Sequence, residues 1–231
     1  STPPSLADGH LFGTDALGRD LFVRVMRAGQ VSLAVGIAAT LISVLIGVAW
    51  GAFSGFMGGR VDAVMMRIVD ILYAMPFLFF VILLMVFFGR QLWLLFLAIG
   101  AVIWLDMARI VRGQTLALKQ REFIAAARLA GLGPLAIIRR HILPNLGGLV
   151  VVYATLTVPQ AILVESFLSF LGLGVAPPAT SWGALVNEAV AQLEAAPWLL
   201  LFPGSLLALT LFCFNFLGDG LRDWLDTDQA R

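Results

Sequence analysis

The sequence has 231 residues, of which 60% are hydrophobic and only 13% are charged, and its mean hydropathy is +0.95. Soluble domains carry about 25% charged residues, so this composition excludes an ordinary water-soluble domain and predicts an integral membrane protein in contact with lipid. The formal net charge of +1 does not provide the basic face that nucleic acid requires, so we expect no nucleic-acid partner. A single cysteine, Cys213, excludes an internal disulfide.

Residues 1–30 precede the first long apolar segment and contain the sequence GTDALGRD. Thr14 or Asp15 is suited to cap a turn, and Asp20 to begin a helix that carries Leu21, while Gly18 relaxes the backbone between them. We therefore interpret this motif as a structural cap rather than as a ligand site.

Five apolar segments are predicted to cross the membrane, because a helix through about 30 Å of hydrocarbon needs about 20 apolar residues. In chain order they are residues 31–57, 71–89, 91–105, 142–164 and 195–218. The third reaches full length only if it continues past Asp106 to Ala108. The predicted fold class is all-α, a polytopic transmembrane helical bundle. Within these segments, kinks are expected at Pro76, Pro159 and Pro203.

The basic residues predict the orientation of the bundle. Residues 106–141 hold seven of the fifteen Lys and Arg, whereas residues 166–198 hold none, so the first segment is expected in the cytoplasm and the second outside. Counting spans back and forward places residues 1–30 outside and the C-terminal tail inside. The arginines of residues 1–30 contradict the charge rule on that side, which leads us to expect a further span before the first residue.

A stripe of small residues follows one face of the first span, with one member every four positions. Residues four apart stack on one helix face, and small side chains allow the close backbone approach that holds helices together in lipid. We expect the stripe to pack against a helix of the same chain; the alternative is an interface with another subunit. The stripe comprises Ala39, Ser43, Gly47, Gly51 and Gly55.

Two carboxylates, Asp106 and Glu165, fall near the ends of predicted spans. An acid inside the membrane is by default a functional residue, but the end positions favour solvated or paired structural roles. We expect Asp106 to pair with Arg109 or Arg112, one helical turn away.

Motifs of catalysis are missing from the sequence, so no catalytic or metal-binding residue is assigned. The sequence has no GxxxxGK[ST] phosphate loop, no HExxH, no Cys/His cluster and no GxSxG elbow. Few polar residues lie in the spans to line a channel. We therefore expect a non-enzymatic protein that works with partner subunits.

Residues 119–144 form the most elaborate polar segment. Residues 122–130 are rich in helix formers, and Gly131 suits the left-handed position just after a helix. After Gly133, Pro134 suits the first position of a second, amphipathic helix over residues 134–141, and Pro144 marks the entry to the fourth span. Such a segment is suited to dock into a groove on another protein, or else to lie on the membrane surface.

This segment resembles the EAA loop of ATP-binding-cassette importer permeases, whose pattern is Glu-Ala-Ala, three residues, Gly, nine residues and Ile-x-Leu-Pro. The matching positions are Ala126, Ala127, Gly131, Leu143 and Pro144. Ala125 replaces the glutamate, although Glu122 lies one turn earlier on the same face, and His141 replaces the isoleucine.

Three further stretches resemble the C-type permease subunits of dipeptide, oligopeptide and nickel importers. They are residues 12–36, from FGTDALGRD onward, residues 169–189, SFLGLGVAPPATSWGALVNEA, and residues 196–226 in the last span and tail. The second stretch, an outer loop, surrounds Trp182 with Gly172, Gly174, Pro177, Pro178 and Gly183. It is expected to be a lid near the translocation path, a contact for a binding protein, or a packed structural loop.

The resemblance implies a type I importer permease of the bacterial inner membrane, with six spans in the family and hence one missing here. Residues 1–30 would be an extracytoplasmic segment, and residues 31–231 the permease domain with a coupling loop at 119–144. Expected partners are a homologous permease, two ATPase subunits that bind ATP and Mg, and an extracytoplasmic solute-binding protein. The ATPase-coupling residues implied are Glu122, Ala126, Ala127, Arg128, Gly131, Leu132, Gly133 and Pro134.

The cargo stays open at this point. Peptides are favoured, while nickel complexes, glutathione or other small solutes are alternatives within the same family. A membrane scaffold that does not transport is the alternative from another class, and its main interaction face would be the small-residue stripe.

Overall fold

The computed structural model describes residues 1–5, 9–89, 91–176 and 178–229, and it is almost entirely helical over this range. The helices are α1 (Leu21–Met57), α2 (Gly59–Ala74), α3 (Phe77–Phe88), α4 (Leu92–Lys119), α5 (Glu122–Leu129), α6 (Pro134–Ile137), α7 (Leu143–Phe170), α8 (Trp182–Val190) and α9 (Trp198–Gln229). A π-helical turn, Ile138–Ile142, joins α6 to α7. The predicted all-α class is confirmed.

Among the described residues, four helical segments are long and apolar enough to cross a membrane. They are α1, α4, the continuous segment from α6 through α7, and α9 from Trp198 to Leu225. The pair α2 and α3 makes a fifth if the two are counted as one bent span. The sequence-based number of five is thus reached only with this pair.

The second predicted span, residues 71–89, is not one helix. The chain breaks at Met75 and Pro76, and the axes on either side differ by 83°. Met75 is extended, with ψ at 134°, because the proline ring disfavours the helical region for the residue before it. Pro76 therefore ends a helix and begins another, whereas Pro159 and Pro203 lie inside the continuous helices α7 and α9.

The small-residue stripe of α1 faces α4. A Cβ added to Gly47 would lie 2.6 Å from Cβ of Met107. One added to Gly51 would overlap the carbonyl oxygen of Ala108. One added to Gly55 would lie 2.9 Å from the carbonyl oxygen of Arg112. The other two members, Ala39 and Ser43, are fully buried. The backbones of α1 and α4 therefore run in contact, side by side and in the same direction.

Replacing Gly51 with alanine is expected to destabilise the bundle by about 1–3 kcal/mol, because the methyl group has no room and the two backbones must separate. The measurement is the thermal unfolding midpoint of the purified protein in detergent. Gly113→Ala is the matched control, since Gly113 lies in α4 with nothing within 4 Å of its Cβ position. An equal midpoint for both variants would contradict this contact.

The other long helices alternate in direction. Gly36 of α1 contacts Ile162 and Val158 of α7. Ser32, one turn earlier in α1, donates a hydrogen bond to Glu165, which is three residues later than Ile162 in α7. The two helices are therefore antiparallel. In α9, Gly218 contacts Leu156 of α7. The start of α7 reaches the end of α9, where Gly148 meets Leu225, so these two helices are also antiparallel. Residues 119–142 and the α1–α2 turn thus share one end of the bundle, called the second end below.

The opposite, first end is closed by the N-terminal segment and α8. The indole nitrogen of Trp182 donates to the carbonyl oxygen of Val25 over 3.0 Å, and the ring of Phe12 stacks on Phe202 with centroids 3.9 Å apart. Trp182 is buried, and a Cβ on Gly183 would overlap the backbone of Ser166. In the described residues the outer loop is therefore a packed structural element; Pro177 lies outside them.

The GTDALGRD motif has the structural role that its sequence predicts. The Asp20 side chain accepts from the backbone N–H of Val23 and caps α1, and Gly18 has a φ of +72°. Burial raises the pKa of Asp15, but hydrogen bonds from the backbone and side chain of Arg19 and from the backbone of Leu17 outweigh it and hold that pKa below its usual value. Asp15 thereby ties the turn together.

Glu165 lies within α7, which continues five residues beyond it. Its side chain is completely buried and accepts hydrogen bonds from Ser32 over 3.0 Å and from Ser169 over 2.6 Å. The Ser32 hydroxyl also accepts from the backbone N–H of Trp182. Glu165 is therefore a satisfied structural acid that joins α1 and α7, with α8 held through Ser32.

Candidate functional site

The segment from α5 to α7 stands at the second end of the bundle and is anchored by one face of α5. Ile124 and Ala127 of that helix are buried. They join a core cluster with members from α1, α4, α6, the π-helical turn and α7: Ala52, Phe56, Met107, Val111, Ile137, Ile138, Ile142 and Leu146. Helix α5 is therefore in close apolar contact with three long helices, α1, α4 and α7.

Helix α5 ends in the backbone motif that its sequence predicts. Gly131 has a φ of +79°, its N–H donates to the carbonyl of Arg128 over 3.0 Å, and the N–H of Leu132 donates to the carbonyl of Ala127 over 3.1 Å. These two bonds form a Schellman motif, in which the left-handed residue is glycine because it has no Cβ. Leu132 then packs against the same core cluster and holds the turn in place.

Two large apolar side chains protrude from the far side of this segment. Leu129 is 91% exposed and Leu135 is 69% exposed. Glu122, Ala126, Arg128, Gly133 and Pro134 are exposed as well. The residues assigned to coupling from the sequence thus form one protruding tip, except Ala127, which is buried, and Leu132, which is half-buried.

The second helix differs from its prediction. It does not end at His141: α6, the π-helical turn and α7 form one uninterrupted helical segment from Pro134 to Phe170. Proline has no N–H to donate to the residue four positions earlier, and the helix accommodates Pro144 by widening just before it, where the N–H of Leu143 bonds to Ile138. The expectation of a short second helix over residues 134–141, separate from the fourth span, was therefore wrong.

Cations and an ion pair with a buried carboxylate lie beneath the tip. The charged groups of Lys119 and Arg128 lie 5.7 Å and 5.4 Å from the ring centroid of Phe56. Nearby, Arg112 of α4 makes two hydrogen bonds of 2.6 Å to the two carboxylate oxygens of Asp62 in α2. This pair could not be predicted from local sequence, because its members are 50 residues apart.

Asp106 does not form the predicted ion pair. Arg109 binds Asp70 over 2.9 Å instead, and Arg112 binds Asp62. Asp106 lines two clefts between the helices: one of 360 Å³ against α2, α3 and α7, and one of 480 Å³ against α7. Gln160 of α7 lines both clefts as well, a polar residue that the sequence reasoning did not single out.

A family model described as the inner membrane component of binding-protein-dependent transport systems matches residues 43–231. The chain is 58% identical to the oligopeptide transport system permease protein OppC of Haemophilus influenzae over 98% of its length and 73% of that protein. Identity is 59% to OppC of Escherichia coli strain K12, over 98% and 75%, and 49% to the dipeptide permease DppC of Bacillus subtilis, over 99% and 71%.

Solved structures give the same fold. An inward-facing structure of the MetNI methionine ABC transporter superposes with a TM-score of 0.72 and 19% identity, covering 91% of this chain and 99% of that one. At this level of identity the likeness concerns the arrangement of the helices alone. It confirms the predicted type I importer permease fold.

Proposed function

The chain belongs to the binding-protein-dependent transport system inner membrane component family, the multi-pass permeases of ATP-binding-cassette importers in the bacterial inner membrane, and from this premise we propose that it carries oligopeptides inward. Support for peptide cargo comes from OppC and DppC, which are 49–59% identical to it. The nickel and scaffold alternatives have no comparable support.

Importers of this family work with ATPases and a binding protein. We propose that this permease pairs with one homologous permease, so that each of two ATPase subunits has one permease to drive and the translocation path lies between the permeases. ATP and Mg²⁺ would then be held by the ATPases, and this chain would contribute movement rather than chemistry. Cargo would be delivered by an extracytoplasmic solute-binding protein at the first end.

The tip at the second end is proposed to be the coupling element, and its geometry is the observation that carries this proposal. Its apolar side chains Leu129 and Leu135 protrude, while Ile124 is fixed in the core cluster. A groove on an ATPase can therefore hold the tip as it holds any amphipathic helix. Because α6 continues into α7 without a break, movement of the tip would be transmitted to α7 as a rigid body.

Crosslinking tests this assignment. In a background with Cys213→Ser, Leu135→Cys is expected to crosslink to an ATPase subunit with a yield that changes when ATP is added. Leu17→Cys is the matched control, because Leu17 is 75% exposed but lies at the first end. Crosslinks from Leu17→Cys to the ATPase, or none from Leu135→Cys in either nucleotide state, would overturn the assignment.

A further inference from the structure

The two clefts that share Asp106 and Gln160 lie between α4 and α7, away from the second end. The smaller cleft is otherwise lined by apolar and aromatic side chains, with Tyr73 from α2 and Phe77 and Phe80 from α3. The larger continues along α4 and α7 past Tyr153. Their sizes are within the usual range for small-molecule pockets, about 300–1,000 Å³, in which a few polar groups determine orientation.

The charge of Asp106 is not balanced by any partner among the described residues. Of the cations on the same helix, Arg109 binds Asp70 and lies 4.4 Å from the ring centroid of Tyr73, while Arg112 binds Asp62. Besides Asp106, the titratable residues that line the clefts are Tyr73, Tyr153 and Arg109. The clefts therefore favour a cation near Asp106.

The depth of Asp106 makes this unbalanced charge informative. It lies fourteen residues after the start of α4, or about 21 Å along the helix. A carboxylate inside a span is costly and marks a pathway unless it is satisfied structurally. Glu165 is satisfied in that way by hydroxyl groups, whereas Asp106 is half-buried and faces open space.

We propose that Asp106, with Gln160 beside it, binds the cationic amine of a peptide as the peptide passes along the translocation path. The amine is a protonated amino terminus or a basic side chain. An ammonium group has three N–H donors, which the carboxylate and the amide oxygen accept, and charge-assisted bonds of this kind are the strong ones. The surrounding apolar side chains accept peptide side chains without selecting among them. This inference rests on the proposed peptide import.

The test uses the full importer complex in lipid vesicles, with the same binding protein throughout. ATP-driven uptake is measured for N-acetyltrialanine, trialanine and trilysine, and each rate in Asp106→Asn is divided by the wild-type rate for the same peptide. The loss is expected to grow with the number of amines: below twofold for the acetylated peptide, about tenfold for trialanine and more for trilysine. Asp106→Glu keeps the charge. It is therefore expected to transport the three peptides in the same order of rates as the wild type.

The control is Asp219→Asn, which removes one carboxylate from an exposed position of α9 and is expected to slow no peptide selectively. An equal loss for every peptide that the wild type carries, or no loss, overturns the role of Asp106 while peptide import stands. No uptake of any peptide by the wild type overturns peptide import, and the inference with it. If Asp106→Asn does not assemble with the ATPases, the ratio of variant to wild-type uptake is measured for the same three peptides with Gln160→Leu. An equal loss for all three peptides again overturns the inference.

Discussion

Replacing Gly131 with valine is expected to lower ATP-driven uptake at least tenfold while the protein still inserts into the membrane. At a φ of +79° an L-residue is strained by about 1–2 kcal/mol, and a β-branched side chain by more. Nothing lies within 4 Å of the added Cβ, so the effect comes from the backbone and not from a clash. The chain relieves the strain by opening the Schellman motif, which displaces Leu129 and the tip.

Two variants separate this mechanism from a general loss of stability. Gly131→Asn is expected to keep most of the uptake, because asparagine tolerates the left-handed region. Gly18→Val introduces the same strain at a φ of +72°, also with nothing within 4 Å, but at the first end. It is expected to retain association with the ATPase subunits, which Gly131→Val loses.

The measurements are peptide uptake into vesicles, co-purification of the ATPases and the amount of permease in the membrane. Normal uptake by Gly131→Val would remove the coupling role of this turn. If Gly18→Val lost the ATPases to the same extent, strain anywhere in the chain would explain the result, and the tip would have no special part.

Features that depend on neighbouring residues could be predicted from the sequence. The long helices follow from apolar runs, the cap at Asp20 from one side chain and the next turn, and the end of α5 from the position of Gly131. The stripe from Ala39 to Gly55 also predicted a packing face, since a period of four residues defines one side of a helix. What it could not predict was that α4 fills this face.

Features that depend on residues far away in the sequence could not be predicted, whether these residues are ion-pair partners or the packing around a proline. Asp106 was expected to pair with Arg109 or Arg112, one helical turn away. Instead Arg109 binds Asp70 and Arg112 binds Asp62, partners that lie 39 and 50 residues away in the sequence. Proline also had two different outcomes: Pro76 breaks a helix, whereas Pro144 is accommodated by a π-helical turn. The core cluster holds Ile138 and Ile142, the first and last residues of that turn, which keeps the helix continuous.

Removing Arg112 is expected to destabilise the second end more than removing Arg109, the other cation that joins α4 to α2. Asp62 is only 9% exposed and accepts two hydrogen bonds from Arg112 and one from Ser54. Arg112→Ala leaves this mostly buried carboxylate with only the more distant Lys119 as counter-charge. We expect a cost of about 2–3 kcal/mol, below the figure for fully buried pairs because the Arg112 side chain is 33% exposed. We expect the thermal unfolding midpoint of the purified complex in detergent to fall by several degrees.

The Arg109–Asp70 pair supplies the matched comparison, because it also joins α4 to α2 but its side chains are 39% and 54% exposed. Water screens such a pair, so Arg109→Ala is expected to cost less than about 1 kcal/mol. If the cost of Arg112→Ala comes from an orphaned charge, the double variant Asp62→Asn with Arg112→Ala, which keeps the same truncation but removes the carboxylate, must recover part of it. A double variant as unstable as Arg112→Ala would show instead that the arginine stabilises α4 by its packing, and α2 would not be held to α4 by charge.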